Sequence, residues 1–71
     1  MTDRHENGNL TARQLEAIKL LADGKDTRLA GDILGISHSG VSRLLERAKD
    51  HTGACNNTSL ACMAIRKGWI E

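Results

Sequence analysis

Apolar residues recur every three to four positions in four stretches of the chain, which is the spacing that gives an α-helix one apolar face. In chain order the stretches contain Leu15, Ile18, Leu21 and Ala22, then Leu29, Ala30, Ile33 and Leu34, then Val41, Leu44, Leu45 and Ala48, and finally Leu60, Ala61, Ala64 and Ile65. A glycine follows each stretch, as is common where helices end. The pattern predicts an all-α domain of four helices, with these residues facing inward.

Residues that favour helix starts precede the four stretches. Thr11 and Gln14 have the spacing of a capping box. The other candidate N-caps are Asp26 or Thr27, Ser37, and Asn56 or Asn57. We therefore predict helix starts at these positions, and we expect Trp69 and Ile70 to fold back onto the core after the fourth helix.

The third predicted helix, about Ser37 to His51, has one apolar and one polar face. The polar face is partly basic, and its members are Ser39, Ser42, Arg43, Glu46 and Arg47. The segment before it has the spacing of a helix-turn-helix, in which a small residue, Gly31, allows two helices to cross closely and Gly35 forms the turn. This arrangement favours DNA binding over an ordinary helical hairpin.

Composition restricts the mode of binding. The formal net charge is only +1, whereas proteins held on DNA by non-specific phosphate attraction usually carry a clear excess of Lys and Arg. Any DNA affinity must therefore come from local placement of charge. Residues 1–9 are polar and predict a flexible leader before a DNA-binding domain at residues 10–71.

The chain also indicates its compartment. No secretory signal is visible, no apolar run approaches the ~20 residues of a membrane helix, and Cys55 and Cys62 form no disulfide framework. We expect a reduced, cytoplasmic protein that has no contact with a membrane.

From Leu10 to Ile70 the chain resembles the LuxR/GerE type of bacterial DNA-binding domain, without a gap. The matching stretches are Leu10-Thr11-x-Arg13-x-x-Glu16, Leu20-Leu21-Ala22-x-Gly24, Leu34-Gly35-Ile36-Ser37, Val41, Gly53, Thr58 and Ala64-x-x-x-Gly68-x-Ile70. The resemblance implies a four-helix helix-turn-helix domain whose third helix enters the major groove of double-stranded DNA. It also implies a role in transcription regulation.

The resemblance assigns roles to particular residues. Positions of family base contact fall on Ser42, Arg43 and Glu46. Positions that match or adjoin family phosphate contacts fall on Thr27, Arg28, Ser39, Gly40 and Arg47, with His38 beside them. Arg43 is the best candidate for reading guanine, because its planar guanidinium can reach O6 and N7 together.

The fourth helix is implied to form a homodimer. Its small and apolar residues cannot all face inward, because successive residues turn by about 100°. The predicted interface consists of Ala61, Cys62, Met63 and Arg66. A dimer of this kind would read an inverted repeat. Further candidate partners are RNA polymerase and a full-length regulator.

The chain departs from the family at several positions. Gly40-Val41-Ser42 stands where Thr-Val-Lys is frequent, Glu46 adds a carboxylate to the groove face, and Thr52 replaces a leucine that would anchor the third helix. The low net charge, Ser42 in place of lysine and Glu46 fit an alternative, an interaction module or anti-activator that keeps the fold without binding DNA. A second alternative is the promoter-binding region of sigma factors, which shares Leu-Thr-x-Arg but lacks a counterpart of the fourth helix ending.

Other chemistry has little support in the sequence. His38, His51, Cys55 and Cys62 do not have a recognised zinc spacing, so we expect no metal site. No nucleophile, base and orienting group occur together, and no glycine-rich phosphate loop is present. We therefore expect neither enzymatic activity nor a cofactor.

Overall fold

The computed structural model describes residues 10–70, so the predicted flexible leader, residues 1–9, lies outside the described range. Its helices are α1 (Ala12–Ala22), α2 (Thr27–Leu34), α3 (His38–Thr52) and α4 (Asn57–Arg66). The described residues contain no strand. The predicted all-α fold of four helices is therefore confirmed.

Each helix starts where a side chain satisfies its first backbone N–H groups. In the capping box of α1, Thr11 Oγ1 accepts from the Gln14 N–H at 3.1 Å, and Gln14 Oε1 accepts from the Thr11 N–H at 2.8 Å. The remaining helices start at Asp26, Ser37 and Asn56, whose side chains accept from the backbone three residues later. The predicted helix starts are confirmed.

The core is formed by residues of all four helices and by the two ends of the described chain. Both α1 and α3 pack against each of the other three helices. The buried apolar residues are Leu10, Ala17, Ile18, Ala30, Val41, Leu45, Ala48, Leu60, Ala64 and Ile70. Trp69 is half-buried against this core and Ile70 is buried, as predicted for the end of the chain.

The prediction of inward apolar faces is wrong at four positions. Leu29, Ile33 and Ile65 are 45%, 53% and 55% exposed, and Ala22 is also exposed. The apolar residues of these helices spread over more of the circumference than their packed neighbours cover. The predicted stripe of α3 is largely correct, because Val41, Leu45 and Ala48 are buried and Leu44 packs against the core.

Within residues 10–70, none of the helices has the length and apolar content that a bilayer-spanning helix requires.

Candidate nucleic-acid interface

The position of α3 is fixed by a close contact between α2 and the turn that follows it. A Cβ atom placed on Gly31 would lie 2.6 Å from the Ile36 carbonyl oxygen and 3.3 Å from the His38 nitrogen. The Gly31 carbonyl accepts hydrogen bonds from the N–H groups of Gly35 at 2.8 Å and Ile36 at 2.9 Å. Gly35 itself has a φ of +76°, a conformation that side chains rarely adopt. A glycine at position 31 therefore lets the turn lie directly against α2.

A side chain from α1 supports the same turn. Arg13 Nη1 donates a hydrogen bond of 3.3 Å to the Leu34 carbonyl oxygen, which belongs to the last residue of α2. Carbonyl groups at helix C-termini lack intrahelical partners and carry partial negative charge, so a guanidinium there is favourable. This contact was not predictable from the sequence, because the two residues are 21 positions apart.

The outward face of α3 is available for contact. The predicted polar residues Ser39, Ser42, Arg43, Glu46 and Arg47 are all exposed. Among residues 10–70, the two arginines make no side-chain hydrogen bond and no ion pair. Their guanidinium groups are therefore free to meet an external acceptor.

The carboxylate on this face has a partner that the sequence analysis missed. Lys49 Nζ lies 3.4 Å from Glu46 Oε2. The pair is partly solvated, because the side chain of Glu46 is 68% exposed while that of Lys49 is 20% exposed. An exposed pair of this kind contributes little to stability, yet it partly offsets the negative charge on the outward face of α3. The signal was the spacing of three residues between opposite charges on one helix.

The remaining predicted DNA contacts lie at the starts of α2 and α3. Arg28 and His38 are exposed, while Thr27 and Gly40 are half-buried. Gly40 donates its backbone N–H to Ser37 Oγ at 3.1 Å, so this N–H is occupied by the cap of α3. The structure thus exposes seven of the nine predicted contact residues and half-buries the other two.

The end of α3 is anchored without the leucine that LuxR/GerE-type domains prefer at this position. The Thr52 hydroxyl donates to the Ala48 carbonyl at 2.8 Å, and the Ala54 N–H donates to the same hydroxyl at 3.3 Å. Thr52 is half-buried, and Gly53 follows as the C-cap. Hydrogen bonds therefore hold the end of this helix where a leucine would use apolar contact.

The predicted dimer residues of α4 are divided between different surroundings. Ala61 and Cys62 line a groove of about 290 Å³ between the end of α1 and α4, which we call the α1–α4 groove. Its other lining residues are Leu21, Ala22, Asn57, Thr58 and Ile65. Met63 is half-buried and Arg66 is exposed, and neither lines the groove. Within the described residues, Asn57 Oδ1 is buried without a hydrogen-bond partner.

The histidines and cysteines do not come together. Among residues 10–70, no group of three or more His, Cys, Asp and Glu side chains is arranged to hold a metal ion. Cys55 and Cys62 are both exposed and unpaired with each other. The structure therefore offers no candidate metal centre in the part of the chain that it describes.

No protein-family model matches the chain, and no curated protein or solved structure shows significant similarity to it. The LuxR/GerE resemblance therefore stays a prediction based on the motifs quoted above.

Proposed function

We propose that this protein binds double-stranded DNA sequence-specifically through the outward face of α3 and acts as a transcription regulator of the LuxR/GerE type. The observation that carries the proposal is the exposure of Arg43 and Arg47 without a bound partner. Both are exposed on one face of a helix fixed by a close turn, and neither is bound to another described residue. Free guanidinium groups on a rigid helix suit contact with base edges and phosphates.

The dimensions of α3 are compatible with this role. A helix of 15 residues is about 22 Å long at 1.5 Å per residue, and the major groove is about 12 Å wide and accepts a single α-helix. The proposed function implies a cytoplasmic location, in agreement with the expectation from the sequence.

The test compares three variants by fluorescence anisotropy on a specific and an unrelated duplex. Arg43→Ala should weaken specific binding by about 1–3 kcal/mol, the usual value of a bidentate base contact. Arg47→Ala should weaken binding to both duplexes alike and reduce the salt slope by about one unit, as expected for a phosphate contact. Lys67→Ala, which removes an exposed positive charge after α4, is the matched control and should change neither. Equal loss on both duplexes for Arg43→Ala would argue against base reading.

Glu46 provides an independent test of the face. Glu46→Lys replaces a negative charge by a positive one, so it should raise non-specific affinity and steepen the salt dependence by about one unit. If neither the affinity nor its salt dependence changes, Glu46 lies outside the interface.

The second candidate function is a protein-interaction module that does not bind DNA. One observation favours it, because the exposed arginines of α3 are accompanied by two exposed carboxylates, Glu46 and Asp50. The absence of binding to any duplex at low salt would support this candidate. A domain that neutralises phosphates binds DNA most tightly at low salt, so it would be detected there.

The proposed regulator forms a homodimer through the α1–α4 groove. The support is that Ala61, Cys62 and the exposed Ile65 form an apolar surface beside the end of α1. Two recognition helices would then lie about 34 Å apart on a palindromic duplex. Oxidation should cross-link Cys62 to its counterpart in the presence of that duplex, and Ile65→Lys should abolish the cross-link. A monomer bound to one half-site without cooperativity would exclude this dimer.

A further inference from the structure

A second open groove lies on another side of the molecule, between α1 and α2. It has a volume of about 380 Å³, and its apolar lining includes Leu20 and Ile33. Ile33 is 53% exposed although it is a large apolar residue. None of the groove residues belongs to α3 or α4, so this surface is distinct from the proposed DNA face and from the α1–α4 groove.

Four charged residues of α1 line this groove in alternating order. From the start of the helix to its C-cap they are Arg13, Glu16, Lys19 and Asp23. Within residues 10–70 the only ion pair joins Glu46 and Lys49. The four charges therefore have no ionic partner in the described chain, although their spacing of three or four residues would allow pairs along the helix.

When the order of these four charges is reversed, each position carries the opposite sign, so two antiparallel copies of α1 would be complementary. The midpoint between Arg13 and Asp23 is residue 18, and the midpoint between Glu16 and Lys19 lies between residues 17 and 18. In an antiparallel pair of α1 helices related by a two-fold axis near this point, Arg13 faces Asp23 of the other copy. Glu16 then faces Lys19 of the other copy. Each copy thus supplies the opposite charge at all four positions.

We propose that the α1–α2 groove binds a second copy of this chain, in a two-fold pair with antiparallel α1 helices. Closed two-fold contacts use the same surface on both copies, which is the property that the charge order provides. The exposed Ile33 of each copy supplies apolar contact beside the charges. The surface formed by two short helices is small, so we expect self-association only at high micromolar concentration.

This pairing is independent of DNA binding and adds to the dimer proposed for α4. The two contacts use different residues, so a chain with both could link neighbouring DNA-bound dimers into a longer array. Charge steering would make the contact sensitive to ionic strength.

The experiment is sedimentation equilibrium of the full chain carrying Ile65→Lys, which removes the α4 contact. Glu16→Lys and Lys19→Glu each place like charges opposite each other twice per pair, and each should raise the dissociation constant about tenfold. An equal mixture of the two variants should restore association, because every contact in the mixed pair is again between opposite charges. The double exchange Glu16→Lys/Lys19→Glu should also restore it. Ile33→Ser should weaken association about tenfold without lowering the unfolding temperature.

Recovery in the mixture supports the proposal, because a general effect on folding would be present in both variants and would persist. A chain that is monomeric up to about 1 mM overturns it, as does self-association that both single variants retain. Failure of the mixture to associate also overturns it. Binding of a different protein through Ile33, without self-association, would overturn the choice of a second copy as the occupant.

Discussion

At the α2–α3 junction, α2 meets the turn that follows it without room for a methyl group, whereas α1 and α4 leave an open groove on their outer side. A Cβ on Gly31 would lie 2.6 Å from the Ile36 carbonyl oxygen. The α1–α4 groove has a volume of about 290 Å³, and Ile65 at its lining is 55% exposed. The close contact fixes the helix proposed to read DNA, while the open contact leaves apolar surface for another chain. The α2–α3 junction has no space left, whereas the outer side of α1 and α4 keeps an open apolar surface where a partner is proposed.

The largest expected effect concerns the inner side of α4, which packs in the core although the outer side is open. Leu60 of α4 is fully buried, so Leu60→Ala should lower the free energy of unfolding by about 2–5 kcal/mol. The matched change in α3 is Leu45→Ala, because Leu45 is 1% exposed. Urea denaturation followed by circular dichroism measures both. If Leu60→Ala unfolds like the unmodified chain while Leu45→Ala does not, the inner side of α4 is not part of the core.

The next effect concerns the junction itself. Gly31→Ala should destabilise the fold by about 1–3 kcal/mol, because the added methyl group meets backbone that cannot rotate away. Gly40→Ala is the control, since its Cβ would meet only side-chain atoms, the nearest being Ile36 Cδ1 at 3.4 Å. Gly40 lies within α3, so this change should stabilise the fold by about 0.5–1 kcal/mol. Thermal unfolding midpoints that move in the same direction for both variants would contradict the close contact at Gly31.

A smaller effect is expected from removing the N-cap side chains of α4 and α3. Asn56 Oδ1 accepts from the Ser59 N–H at 2.8 Å, and Ser37 Oγ accepts from the Gly40 N–H at 3.1 Å. Asn56→Ala and Ser37→Ala should each cost about 1 kcal/mol, as helix N-caps do. Chemical denaturation of both variants checks this. A much larger cost for Ser37 alone would show that its side chain supports the turn beyond its capping bond.

The smallest effect is expected on the open surface. Ile65→Lys should change the free energy of unfolding by no more than about 0.5 kcal/mol, because the side chain is exposed and a positive charge suits the last turn of a helix. The same variant is expected to abolish the α4 dimer. Calorimetry and light scattering on one sample separate these two results, and a marked loss of stability would mean that Ile65 belongs to the core.

Local signals predicted the fold well. The caps at Thr11, Asp26, Ser37 and Asn56 depend on hydrogen bonds that reach only three residues along the chain. Glycine ends α2 and α3 for an equally local reason, because Gly35 and Gly53 have a positive φ at the C-cap. Because these interactions involve neighbouring residues, a single sequence contains the information needed to predict them.

Features that depend on distant parts of the chain were not predictable in the same way. Periodicity shows that Leu29, Ile33 and Ile65 are apolar, but the exposure of each depends on where other helices end. The bond from Arg13 to the Leu34 carbonyl likewise depends on how α1 crosses α2. Residue spacing predicted the exposed polar face of α3 and also that the apolar residues of α4 cannot all face inward, as the exposed Cys62 shows. Which of them line the groove beside α1 was not predictable.

The short-range capping of all four helices also has a kinetic consequence. Each helix has a starting signal within its own segment, so its first turn can form before the chain has brought distant segments together. Helical domains dominated by local contacts fold in microseconds to milliseconds. The chain contains no proline, so slow prolyl isomerisation does not limit the rate. We therefore expect single-exponential refolding within milliseconds, fast enough for the domain to fold as it is being synthesised.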